Sequence, residues 1–138
     1  MQQEFLLLAE GAEAVNGKIY ILGGGVDRHN GVSFPTALKV DIALGVLVSW
    51  GETNQKIDLK VRVVDEDDVE SFTVGAEMTI GRPPQANPGQ DIRSLIAIRG
   101  PFPLAKPGAY KAVMLLDGVP QEPPFRFWVQ QVPMPVSS

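Results

Sequence analysis

The densest run of chemistry-bearing side chains is Asp65, Glu66, Asp67, Asp68 and Glu70. Clustered carboxylates are what a hard cation such as Ca²⁺ takes as ligands. This run lacks the Asp-x-Asp-x-Asp-Gly spacing and the closing Glu of a calcium loop. Asp also tolerates turn geometry, and charges guard strand edges, so a solvated hairpin tip is expected. Gly23-Gly24-Gly25 offers flexible backbone of the kind that cradles phosphate. A phosphate loop, however, needs a following helix and a Lys-Ser/Thr pair, and Val26-Asp27-Arg28-His29 supplies neither. His29 is the only histidine and cannot build a multi-histidine metal site. No Gly-x-Ser-x-Gly elbow accompanies it, so it is expected to be a turn residue. Nothing in the pattern sets two carboxylates on a buried face for acid–base work. These features together predict no enzyme, no cofactor and no metal. Trp128 could stack on a sugar ring, but it is the single aromatic platform the pattern turns outward.

Composition sharpens these exclusions. The chain has 138 residues, 44% of them apolar and 20% charged, as in ordinary soluble domains. There is no cysteine, which removes disulfides, thiol catalysis and cysteine-based metal sites. A net charge of −4 argues against phosphate-backbone binding, so no nucleic-acid partner is expected. It argues equally against docking on an anionic membrane. The first ten residues carry no basic n-region, and no apolar stretch approaches the ~20 residues that span a bilayer. The expected location is therefore the cytoplasm.

The elements that must position any site read as strands. Fourteen glycines and twelve prolines fall between the apolar runs, which favours short strands over helices. Residues 5–9 form a continuous apolar run, consistent with a buried first strand. Asn16-Gly17 marks a two-residue hairpin. Leu38, Val40, Ile42, Leu44, Val46, Val48 and Trp50 alternate through one long predicted strand, with a bend or bulge expected at Gly45. Ile57, Leu59, Val61 and Val63 alternate next, and the short link between these two strands predicts that they pair. Strands are also expected over 72–80, 91–99, 110–116 and 125–132. The predicted fold is all-β, an antiparallel sandwich of about eight strands in one domain over 1–132, with a tail at 133–138.

Gly108-Ala109-Tyr110-Lys111-Ala112 resembles the start of the penultimate strand of immunoglobulin-like domains, where Gly-x-Tyr precedes a small residue or cysteine. The resemblance implies that the Tyr110 hydroxyl bonds back to the chain a few residues upstream. Further motifs are Leu8-Ala9-Glu10, Gly17-Lys18-Ile19-Tyr20-Ile21-Leu22-Gly23-Gly24-Gly25, Phe34-Pro35, Val64-Asp65-Glu66-Asp67 and Pro124-Phe125-Arg126-Phe127. With these the chain resembles a family of short bacterial, mainly actinobacterial, immunoglobulin-like β-sandwich proteins of unknown function. That resemblance implies a fold and no site residues.

If Phe125, Phe127 and Val129 face the core, Arg126 and Trp128 face outward. The same alternation turns Val113 and Leu115 outward on the strand before. Val113, Leu115, Arg126 and Trp128 are thus a candidate interface, an apolar patch bordered by basic residues. The functional expectation is a non-catalytic interaction or assembly domain that binds a protein partner or itself. The alternative is a module for a sugar or Ca²⁺.

Overall fold

The computed structural model describes residues 1–135. Its Asn16-Gly17 turn has φ of 52° and 73°, the positive pair that a tight hairpin demands. It joins β1 (Gln2–Val15) to β2 (Lys18–Gly24). β1 pairs through its first half with β5 (Asp41–Val48), which in turn pairs with β8 (Ile92–Ile98). The four strands β2-β1-β5-β8 form one curled sheet.

The second sheet holds β3 (Arg28–Gly31), β12 (Phe125–Gln131), β10 (Gly108–Leu116), β6 (Lys56–Asp65) and β7 (Glu70–Thr79), in that order. β11 (Val119–Pro120) adds to β10. A small third ladder joins β4 (Thr36–Leu38) to β9 (Phe102–Leu104). The described residues are therefore all-β, with twelve strands in curled half-barrel sheets. Among them every pairing is antiparallel except β3 with β12.

Several expectations are corrected. The strand count rises from about eight to twelve because β3, β4, β9 and β11 span only two to four residues each, too short to show a period. The long strand predicted from Leu38 breaks at Lys39, where the Val40 amide donates to the Leu38 carbonyl at 3.1 Å. Leu38 and Val40 both stay buried, so alternation runs on across the break and hides it. β5 does not pair with β6. The 3₁₀ turn Trp50–Glu52 instead carries the chain from one sheet to the other. β5 runs unbroken through Gly45, and the bulge sits opposite on β1, between Gln3 and Phe5. His29 lies in β3 and not in a turn. Of the predicted tail, 133–135 carry no regular structure and 136–138 lie outside the described residues.

The core fills the space between the two large sheets. Leu6, Leu8, Ile42, Leu44, Val46 and Val48 from one side meet Leu59, Val61, Val63, Met114, Leu116 and Phe127 from the other. Phe72 stacks on Phe102 at 5.0 Å between centroids, and so ties β7 to β9. The hydroxyl of Tyr110 donates to the Lys106 carbonyl at 2.5 Å, the upstream bond the motif implied. Its ring stacks on Phe127 at 5.4 Å.

Candidate interaction surfaces

The β6–β7 hairpin tip holds the acidic run. Asp65 is buried, and its Oδ1 accepts from the amides of Asp67 at 2.9 Å and Val69 at 3.0 Å. Its Oδ2 lies 3.1 Å from Lys106 Nζ. The Val69 amide above all, with Lys106 and the Asp67 amide, holds this carboxyl below the usual aspartate range. Asp68 reaches Lys111 at 3.2 Å, and Glu70 takes Arg62 at 3.3 Å and the Thr73 hydroxyl at 2.7 Å. These three carboxylates are spent on their own turn and its neighbours. Among the described residues no three His, Cys, Asp or Glu side chains gather as a metal would need.

The glycine run ends β2. The amides of Gly25 and Val26 both donate to the Leu8 carbonyl, at 2.8 and 2.9 Å. Those donors close the strand and do not point into an open cradle. His29 is half-buried in β3, and its Nε2 has no partner among the described residues. Burial first, then the charge of Lys39, holds its pKa below the ordinary histidine value.

Val113, Leu115, Arg126 and Trp128 do share the outer face of the second sheet. The ladder sets Val113 opposite Arg62, Leu115 opposite Lys60 and Lys111 opposite Arg126. Trp128 is 42% exposed, with the Arg28 guanidinium 6.0 Å from its ring centre. The Lys111–Arg126 rung therefore runs between Trp128 and the two aliphatic residues. The basic side chains expected at the border of the patch stand within it, because Lys60, Arg62, Lys111 and Arg126 share outward positions with it on β6, β10 and β12.

The first sheet is different, and sequence reasoning missed its outer face. On β5, Ile42, Leu44, Val46 and Val48 point to the core, so Ala43, Gly45 and Leu47 point away. The ladder places Leu7 and Ala97 beside Ala43, and Phe5 and Leu95 beside Gly45. A Cβ at Gly45 would come within 2.5 Å of the Phe5 ring and 3.4 Å of Leu95. The glycine thus lets an aromatic ring lie flat across the strand. A face of a solvated antiparallel sheet alternates polar with apolar, whereas strands covered on both faces read as continuous apolar runs. The signal was present in Phe5-Leu6-Leu7-Leu8-Ala9 and in Ile42-Ala43-Leu44-Gly45-Val46-Leu47-Val48.

At one end this face deepens. The β1–β2 hairpin projects past β5, and a groove of about 460 Å³ opens at its base. Tyr20 and Leu22 form one wall, 60% and 73% exposed, and Arg99 stands on the other. Asp41 fixes the floor by accepting from the amides of Ala12 at 3.0 Å and Gly100 at 3.1 Å. At the opposite end, Arg93 grips Glu4 with two nitrogens, at 2.5 and 2.9 Å.

Fold and surfaces together define an all-β chain whose second sheet carries charge on most rungs of its outer face and whose first sheet presents a largely apolar one. The chain belongs to DUF6941, a family of unknown function, whose model matches residues 4–126. No curated protein matches it.

Proposed function

We propose that the chain is a non-catalytic assembly domain that pairs with a second copy of itself through the outer face of the β2-β1-β5-β8 sheet. The observation that carries this reading is the two-sided apolar character of β1 and β5. Phe5, Leu7, Ala43, Leu47, Leu95 and Ala97 adjoin one another there, and Leu22 and Tyr20 extend the surface. Only Tyr20 and Leu22 are exposed, Ala43 is fully buried and the other five are half-buried, and a contiguous apolar surface of this kind favours association. A twofold pairing brings the same patch from both copies together. The Glu4–Arg93 pair at the rim supports that choice, since each copy offers both a carboxylate and a guanidinium for exchange across the axis. The Tyr110 corner supports ranking the domain among immunoglobulin-like sandwiches. A protein partner of other sequence, or use of the Trp128 face, is the competing outcome.

Light scattering coupled to size-exclusion chromatography tests the reading across a wide concentration range. Leu22→Glu is the informative variant, because Leu22 is exposed and its replacement leaves the core intact. The expected result is a dimer for the native chain, a monomer for Leu22→Glu and for Leu95→Glu, and an unchanged dimer for Trp128→Ala. A native chain that stays monomeric at the highest concentration overturns the proposal. So does a dimer that Trp128→Ala dissolves and Leu22→Glu does not.

A further inference from the structure

A second opening lies where the two curled sheets fail to meet. Among the described residues β7 pairs with β6 alone and β8 with β5 alone, so each leaves one edge free. Between them is a cleft of about 330 Å³ lined by Leu59, Ala76, Met78, Ile96, Ile98 and Arg99, among others. Its floor is the core itself, since Leu59 is fully buried and Met78, Ile96 and Ile98 pack against the core.

We propose that this seam takes up an extended peptide segment that carries a carboxylate. Strand edges are usually guarded by charge, proline or a covering loop, because their unpaired N–H and C=O groups recruit other chains. Between Arg93 and Arg99, β8 offers only Ser-Leu-Ile-Ala-Ile. The facing part of β7, Gly75-Ala76-Glu77-Met78, has a single charge. Gly75 is required by the close approach of this wall to β6. Its φ is 150°, and a Cβ there would lie 2.0 Å from the Leu59 carbonyl, so no side chain can stand at that point. Free backbone on both walls with an apolar floor is the geometry of strand addition, in which main-chain bonds supply affinity and alternate side chains supply specificity. A small apolar molecule would leave both rows of backbone groups unused. Arg99 sets the polarity of the guest. It makes no ion pair among the described residues, unlike Arg93 in β8, and stands just past the end of β8 beside the cleft as a partner for a carboxylate.

Selection from a displayed library of random peptides, on the native chain against a Met78→Arg control, provides the test. The expected peptides alternate apolar and polar residues and carry Asp, Glu or a free C-terminus. The best of them, labelled and followed by fluorescence anisotropy, should bind about three- to fivefold more weakly to Arg99→Gln. N-methylation of alternate backbone amides should abolish binding. Enrichment equal to that of the Met78→Arg control overturns the proposal, as does undiminished binding of the N-methylated peptide. The cleft shares Ala97 and Arg99 with the outer face and its groove, but its floor and its β7 wall are its own, so a monomeric native chain would leave it standing, and a failed selection would leave the dimer standing.

Discussion

Replacing Gly45 by alanine should destabilise the native chain and relieve a Phe5→Ala variant. The backbone at Gly45 does not lie in the left-handed region, so alanine is conformationally admissible there. The obstacle is the Phe5 ring, two of whose carbons would stand 2.5 and 2.8 Å from the new methyl. Forcing a methyl into such a packed site costs about 2 kcal/mol. Phe5→Ala alone removes a half-buried ring, about half the effect of a core Phe→Ala, or roughly 2 kcal/mol. With the ring gone, the alanine methyl enters vacant space and gains the roughly 0.5–1 kcal/mol by which alanine outperforms glycine in a strand. The double variant should then be about 1–1.5 kcal/mol less stable than native, against about 4 for the sum of the singles. Urea unfolding of the four proteins at one protein concentration measures this, since association would shift apparent stability. Additivity within about 0.5 kcal/mol would refute the placement of the ring across the strand.

Two other variants probe the second sheet. Tyr110→Phe keeps the stack on Phe127 and strips the Lys106 carbonyl of its donor, so about 1–2 kcal/mol of stability should be lost in urea unfolding. No change in midpoint would mean the hydroxyl bond contributes nothing. His29 tests the pH response. Its folded pKa lies below the ordinary 6.5, so the unfolded chain takes up a proton the folded one resists. Stability should therefore fall as pH drops below about 6.5 and level off beneath the folded pKa. His29→Gln should flatten urea midpoints through that window, and an unchanged pH slope would show that burial of His29 is not the cause.

Local chemistry was legible wherever a turn or motif stands alone in sequence. Asn16-Gly17 signalled a tight hairpin, Asp65 to Glu70 favoured a polar tip over a cation site, and Gly108-Ala109-Tyr110 announced the hydroxyl bond at the strand start. Taking the last two long strands as neighbours also matched the pairing of β10 with β12. What failed was long-range. Nothing local distinguishes Leu38 from Val40, because both are buried and both fit one alternating series, although they serve different ladders. The link at 49–55 is short enough for a hairpin, but β1 and β8 occupy the two edges of β5, and β6 lies in the other sheet. The candidate interface was half legible. Parity put Val113, Leu115, Arg126 and Trp128 on one face, but parity says nothing of what intervenes, and register inserts Lys111 beside Arg126.

The molecule contains its own control for the assembly reading. β6, β10 and β12 alternate buried apolar residues with Lys60, Arg62, Lys111 and Arg126, so their outer face meets water with charge at nearly every rung. β1, β5 and β8 belong to the same fold, meet the same core and are built from the same alphabet. Their outward positions nevertheless hold Phe5, Leu7, Ala43, Leu47, Leu95 and Ala97. Packing against the core cannot explain the difference, because those positions point away from it. Strand propensity cannot explain it either, since Thr and charged residues satisfy the outer face of the opposite sheet. The assembly reading attributes the difference to an environment outside the domain that rewards apolar side chains on one sheet only. A second copy presenting the same face would supply that environment without any further component.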